Sequence, residues 1–479
     1  MQKTDIIRRI SAAFPYRQTK DQASLTTHLS DFLTDSNPDS VFLLKGYAGT
    51  GKTTIVSSLV KVLPEFNLKT VLLAPTGRAA KVLAGYAGKQ ALTIHKKIYR
   101  IQTAGDGSVQ IVRRENKHSN TIFIADEASM IPGSDTTERG SLFGRSNLLD
   151  DLIEYVYNQK NCRLLLIGDT AQLPPVHSAE SPALNKSFLE GHYQVFVREY
   201  ELREVVRQAR DSGILYNATK LRYMLAGNTN GFPALQTDRY GDVVRVQGQE
   251  AADEVDNAFL SGGKEQALMI CRSNKRANLY NQHIRQRVLF MEDEINAGDL
   301  LMVVRNNYYW LPETSEAGFI ANGDIMELKR IQRTEEIYGF RFADVTARLT
   351  DYPDMPDMEV KLMLDTLQTE TPALPETHTR KLFDAVAEDF RDIPNKRTRM
   401  SAIRNSPYLN ALQVKYAYAM TCHKAQGGQW ENVFVEMGYL PDKKPDIEYL
   451  RWLYTAFTRG TQKVFLLNFA DDFFLPDKQ

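Results

Sequence analysis

Residues 46–54 read Gly-Tyr-Ala-Gly-Thr-Gly-Lys-Thr-Thr, a match to G-x-x-x-x-G-K-[ST]. Its flanks limit what it can be. Val41 to Leu44 is a four-residue apolar run between turn formers, which reads as a buried parallel strand. Ile55 to Val60 continues with helical spacing. Strand, glycine loop and helix in this order form a cradle whose backbone N–H groups turn inward around phosphate oxygens. Gly46, Gly49 and Gly51 permit that turn, and Ala48, Thr50 and Thr54 complete the expected nucleotide-binding set. Lys52 is expected to neutralise β and γ phosphates and Thr53 to ligate Mg²⁺, so the expected cofactors are ATP and Mg²⁺.

Three further apolar runs end in polar turns. Thr121 to Ala125 leads into Asp126-Glu127, which places two carboxylates at the C-terminal edge of a strand, where open α/β sheets bind ligands. Asp126 is expected to hold Mg²⁺ through water, and Glu127 to orient or deprotonate the attacking water. Arg163 to Ile167 precedes Gly168-Asp169-Thr170-Ala171-Gln172-Leu173-Pro174-Pro175. Gln172 can donate and accept at once, which suits sensing a γ-phosphate or the attacking water. Thr70 to Ala74 precedes Pro75-Thr76-Gly77-Arg78, where a helix opens. The fold class is therefore α/β, with a doubly wound parallel sheet carrying every polar motif at one edge.

The chain of 479 residues has room for two to four domains. It is 43% hydrophobic and 25% charged, and its three cysteines, Cys162, Cys271 and Cys422, read as buried thiols. The sequence shows no apolar run of membrane-spanning length and no apolar leader, so the expected location is cytoplasmic, with no membrane partner. Zero net charge, from 59 basic and 59 acidic residues, argues against a polycation but leaves room for a local basic groove.

Taken together and in order, the motifs resemble those of superfamily 1 helicases, of the 5′→3′ RecD-like, Dda-like and Pif-like branch. GYAGTGKTT resembles motif I, LLAPTGRAAKVL motif Ia, IADEAS motif II and GDTAQLPPV motif III. Thr93-Ile94-His95 resembles a signature that follows motif Ia, Thr19-Lys20-Asp21-Gln22 the Q motif, and residues 202–208 motif IV. Thr421 to Trp430, TCHKAQGGQW, resembles motif V, and Leu453 to Gly460 motif VI. The resemblance implies that Gln22 reads adenine and that Gln426 and Gly427 lie near the γ-phosphate. It implies that Arg207 and Arg459 reach across a cleft to the transferring phosphoryl group. It implies DNA contacts for Pro75, Thr76, Arg78, His95, Thr421 and His423. Where many members carry an aromatic that stacks on adenine, this chain has Val206.

The same resemblance implies two RecA-like domains: 1–95 with 120–198, and 199–328 with 408–479. Residues 96–119, alternating around Asp106-Gly107, read as an inserted β-hairpin, and the resemblance implies that it is the pin that splits duplex. Residues 329–407 read as a small SH3-like β-barrel insert, with the barrel beginning after Leu328. Thr379 to Phe390 reads as an amphipathic helix. The expected function is an ATP-dependent 5′→3′ DNA helicase, a hydrolase of DNA replication or repair. It is expected to act as a monomer on single-stranded and forked DNA. The alternatives are an RNA or RNA–DNA helicase, and a nucleic-acid-gated ATPase switch that does not unwind.

Overall fold

The apolar run before the glycine loop forms β1 (Ser40–Gly46), in which Val41, Phe42, Leu43 and Leu44 are fully buried. This computed structural model describes residues 2–103, 109–133, 147–206, 211–312, 314–440 and 442–475. β1 lies in a six-stranded sheet with β2 (Lys69–Ala74), β3 (Ala91–Thr93), β6 (Thr121–Ala125), β7 (Cys162–Gly168) and β8 (Phe196–Leu202). The order is β3-β2-β6-β7-β1-β8 and every pairing is parallel. Alternate residues feed opposite cores. Val41 and Leu43 pack beneath helix Leu148–Tyr157, and Phe42 and Leu44 beneath helices Lys20–Leu33 and Lys52–Val62. Burial on both faces is why these strands read as unbroken apolar runs.

Between β3 and β6 the hairpin strands β4 (Tyr99–Thr103) and β5 (Val109–Arg113) pair antiparallel, from Tyr99↔Arg113 to Thr103↔Val109. The Tyr99 hydroxyl donates to Asp151 at 2.6 Å and Arg113 pairs with the same carboxylate at 3.2 Å, rooting the hairpin on helix Leu148–Tyr157. The expected Asp106-Gly107 turn lies outside the described residues.

A second sheet of order β16-β10-β17-β18-β9 is also wholly parallel. It comprises β9 (Val243–Val246), β10 (Ala267–Cys271), β16 (Ala419–Thr421), β17 (Trp430–Glu436) and β18 (Gly460–Leu467). Its core includes Phe434 stacked on Phe465 with ring centroids 4.4 Å apart. A closed barrel is built from β11 (Leu300–Val303), β12 (Ile325–Ile337), β13 (Phe340–Leu349), β14 (Met358–Met363) and β15 (Leu412–Tyr416). The amphipathic helix falls at Glu376–Glu388, and all three cysteines are free and buried.

Three expected boundaries are corrected. The barrel begins at Leu300, and Leu328 lies inside the 13-residue β12. β11 is apolar on both sides because it closes the barrel against β12 and β15 and also packs on the second sheet's core, so its sequence reads like a strand of that sheet. The barrel also extends past residue 407, since β15 supplies its closing strand. The expected break between 198 and 199 falls inside β8, which pairs with β1 as far as Gly46↔Leu202. β8 is an edge strand with a polar sequence, Phe-Val-Arg-Glu-Tyr-Glu-Leu, and carries no apolar run to mark it.

Candidate nucleotide site and its interdomain contacts

The glycine loop makes the turn the sequence requires. Gly49 and Gly51 take φ values of 74° and 87°, and Lys52 opens the helix that follows. The Lys52 ammonium folds back to donate to the carbonyls of Gly46 at 2.6 Å and Tyr47 at 2.9 Å. Gln22 braces the loop from outside. Its Oε1 accepts from the Thr19 N–H at 3.0 Å, as half of a capping box, and its Nε2 donates to the Thr50 carbonyl at 3.1 Å. Both ends of the amide that the resemblance aims at adenine are thus engaged with protein. Val206 donates its N–H to the Gly49 carbonyl at 3.0 Å, so the motif IV segment runs against the loop. Arg207, the first expected arginine finger, lies outside the described residues.

Asp126 directly follows β6 and accepts from the Glu127 N–H at 2.8 Å and from the Tyr86 hydroxyl. Glu127 sits in the left-handed region, at φ 52°, a conformation uncommon for a non-glycine residue. Burial raises its pKa, while the Arg459 guanidinium and the Lys52 ammonium pull it down. Asp169, at the end of β7, is 1% exposed and likewise raised by burial. Gln172 is buried and its Oε1 has no hydrogen-bond partner among the described residues, which leaves an acceptor free for the O–H of a water.

The second half of the chain closes over this edge. The Tyr454 hydroxyl accepts from the Ala48 N–H at 3.0 Å and donates to Asp169 at 2.5 Å. Leu173 is held at both ends, its N–H by Thr455 Oγ1 at 2.9 Å and its carbonyl by Gln426 Nε2 at 2.8 Å. Arg459, 3% exposed, donates to the carbonyls of Thr455 at 3.1 Å and Gly428 at 3.2 Å and to Thr458 Oγ1 at 3.1 Å. Gln426, which the resemblance sets with Gly427 near the γ-phosphate, reaches the backbone beside Gln172, and Gly427 approaches Thr76 and Ala79. The Gln426 donor is used by Leu173, and Gly427, at φ 76°, has no side chain where a Cβ would come within 2.9 Å of Ala79 and 3.1 Å of Thr76.

The expected DNA-contact residues lie along the same seam. Thr76 caps helix Gly77–Ala87, accepting from the Ala79 N–H at 3.2 Å, and Pro75 precedes it. Arg78 stacks 3.9 Å over the Trp430 ring and donates to the Gln429 carbonyl at 3.3 Å. His423 lies near Pro174, and Thr421 starts the one-turn helix Cys422–Ala425 without capping it. His95 lines a cleft of about 530 Å³ at the root of the hairpin, with Lys96, Lys97, Arg100, Lys117 and Phe319. Burial pushes the His95 pKa down to about 4, so the ring is neutral at physiological pH.

Sequence reasoning passed over Asp169, Leu173, Tyr454 and Thr455. All four lie inside motifs it singled out, but their roles come from contacts between parts of the chain 253 to 406 residues apart. For Mg²⁺, Thr53 is exposed at the loop mouth and the Asp126 carboxylate is half-buried. Among the described residues no group of three or more His, Cys, Asp or Glu side chains could hold a metal. One hydroxyl and one carboxylate fit an ion that takes its other ligands from water and phosphate.

Residues 19–249 match the AAA domain model, and residues 416–467 the UvrD-like helicase C-terminal domain model. The ATP-dependent RecD2 DNA helicase of Deinococcus radiodurans is 30% identical over 56% of this chain and 34% of its own length. The ATP-dependent DNA helicase dda of Enterobacteria phage T4 is 24% identical over 54% of this chain and 55% of its own. The chain thus carries an AAA domain and a UvrD-like helicase C-terminal domain, and it is similar in sequence to parts of RecD2 and Dda. An uncharacterized protein of Acanthamoeba polyphaga mimivirus is 22% identical to this chain over 93% of its length and 98% of that protein. A structure of two Pif1 helicases coordinating at forked DNA covers 96% of the chain and 95% of its own, at 15% identity and a TM-score of 0.47. No helix among the described residues is long and apolar enough to cross a membrane.

Proposed function

We propose that the chain is an ATP-dependent DNA helicase that translocates 5′→3′ on single-stranded DNA and unwinds the duplex ahead. The observation that carries this reading is the seam itself. The glycine loop and motif III of the first sheet are hydrogen-bonded to motifs V and VI of the second, through Tyr454, Thr455 and Gln426. A loop that touches both sides shifts when either side changes, which couples nucleotide state to grip on a strand. DNA is chosen over RNA because RecD2 and Dda are named DNA helicases, and the direction rests on resemblance to their branch.

In this reading Lys52 leaves the Gly46 and Tyr47 carbonyls for the β and γ phosphates, and Gly46, Ala48, Gly49, Thr50, Gly51 and Thr54 form the cradle. Thr53 and Asp126 hold Mg²⁺, which supplies charge neutralisation on the phosphates. Glu127 takes the proton of the attacking water, Gln172 orients that water, and Arg459 and Arg207 stabilise charge on the transferring group. Gln22 and Val206 bound the adenine side. Pro75, Thr76, Arg78, His95, Thr421 and His423 lie along the strand, with the hairpin β4–β5 as the pin and forked DNA as substrate.

The test is ATP hydrolysis with and without single-stranded DNA, with RNA in parallel and Lys52→Ala as the blank. Stimulation by DNA that depends on Lys52, followed by unwinding of 5′-tailed but not 3′-tailed duplex, supports the proposal. Stimulation by RNA alone, or none at all, overturns it.

A further inference from the structure

Tyr454 belongs to helix Ile447–Phe457 of the second half, yet its hydroxyl lies inside the nucleotide site of the first. It is 1% exposed, and the reaction scheme above gives it no role. The peptide unit joining Tyr47 and Ala48 is held from both sides. Its carbonyl accepts from Lys52 Nζ at 2.9 Å and its N–H donates to Tyr454 Oη at 3.0 Å. Tyr454 in turn donates to Asp169, whose charge is electrostatically coupled to Lys52. Lys52, one peptide of the glycine loop, Tyr454 and Asp169 therefore form a closed ring of interactions.

That ring occupies the γ end of the cradle. Amides at the helix N-terminus take the phosphates nearest the helix, and the loop lysine reaches the β and γ phosphates. Ala48 lies on the opposite arm of the loop, on the peptide that Lys52 must release to reach them. Thr455, the next residue, is pinned to Leu173, and Arg459 stands just beyond the same helix. A change at Tyr454 is thereby carried to the arginine.

We propose that Tyr454 is a positioning residue that reads the γ-phosphate, its hydroxyl holding the Ala48 amide in nucleotide-free protein and yielding it when ATP binds, so that the helix end bearing Arg459 is reset. This inference rests on the helicase reading above. It requires that ATP, and not ADP, compete with the tyrosine. Removing the hydroxyl removes the competitor, so ATP affinity rises while the arginine loses its cue.

The experiment is equilibrium binding of a non-hydrolysable ATP analogue and of ADP to the full chain without DNA, with steady-state hydrolysis alongside. For Tyr454→Phe the ratio of the ADP to the ATP-analogue dissociation constant should rise roughly fivefold, the size of one neutral hydrogen bond. The KM for ATP should fall together with kcat, a split that loss of packing does not produce. Thr455→Ala, which breaks an adjacent interdomain bond that does not touch the loop, should leave the ratio where it is. Should Tyr454→Phe fail to fold, the Ala48 amide resonance of the wild-type protein reads the exchange directly: it should shift on adding the ATP analogue far more than on adding ADP, and equal shifts overturn the inference. An unchanged ratio, or an equal shift in Tyr454→Phe and Thr455→Ala, overturns the inference. Wild-type protein that binds neither nucleotide overturns the helicase reading as well.

Discussion

The Gln426 side chain donates to the Leu173 carbonyl at 2.8 Å, across the seam between the two parallel sheets. Leu173 follows Gln172 directly, and Gln426 opens the turn that leads into β17. A displacement of motif V is therefore delivered to the backbone beside the side chain proposed to orient water. Gln426→Ala removes that bond and leaves a buried carbonyl unpaired, at a cost of about 1–3 kcal/mol. Stimulation of ATP hydrolysis by DNA should fall about tenfold, and more than the DNA-free rate does. The ratio of the two rates is the measurement. An unaltered ratio would mean that DNA grip reaches the nucleotide by another route.

Glu127 is half-buried, left-handed and flanked by Arg459 and Lys52. Glu127→Gln should lower kcat by about 10²–10⁴ while leaving ATP affinity within a few fold. Because burial raises the pKa of the carboxyl, and only its deprotonated form serves as a base, wild-type kcat should fall with acidification at a pH above the ordinary carboxylate range. That acid limb should be absent from the residual activity of Glu127→Gln. Arg459→Ala should cost about 10³ or more in kcat, and Arg459→Lys should not restore it, since a point charge cannot reproduce the guanidinium fork.

The strands behind these groups were legible because burial on both faces leaves runs such as Val41 to Leu44 and Ala267 to Cys271 without a polar break. The ends of those strands were legible for the opposite reason, since polar residues and glycines crowd together where a ligand or a second domain must be met. β8 and the start of the barrel were not, because one is a polar edge and the other an apolar strand with two possible partners. Tyr454 reads as an ordinary apolar-face residue of an amphipathic helix. Only the tertiary structure shows that its hydroxyl crosses to Ala48, 406 positions away.

Gly51 combines both kinds of information. Its φ of 87° favours glycine, and a Cβ there would lie 2.4 Å from Gln22 Nε2. Gly51→Ala therefore adds roughly 1–2 kcal/mol of backbone strain and displaces the glutamine that braces the loop. Nucleotide affinity should drop at least tenfold, and the melting temperature by a few degrees. Gln22→Ala in the Gly51→Ala background should recover part of the melting temperature by clearing the contact. No recovery would place the whole cost in the backbone.

Lys424 offers a measurement in which stability and function should move in opposite directions. Its ammonium is buried in motif V with no hydrogen-bond partner among the described residues, and burial, with Lys415 nearby, pushes its pKa down to about 8 from 10.5. Below pH 8 the amine is charged in both folded and unfolded chains, and the folded chain bears the full cost of burying it. Between about 8 and 10.5 the unfolded chain binds the extra proton, so wild-type stability from this group rises with pH. Lys424→Met should therefore be more stable than wild type at pH 7, by up to about 3 kcal/mol, and the gain should shrink towards pH 10. Melts of both proteins across that range test the sign. If the amine is kept at this cost to meet a DNA phosphate, the same substitution should weaken single-strand binding and reduce its salt dependence by about one ion. A variant that is more stable yet binds DNA as wild type does would leave the charge without a role on the strand.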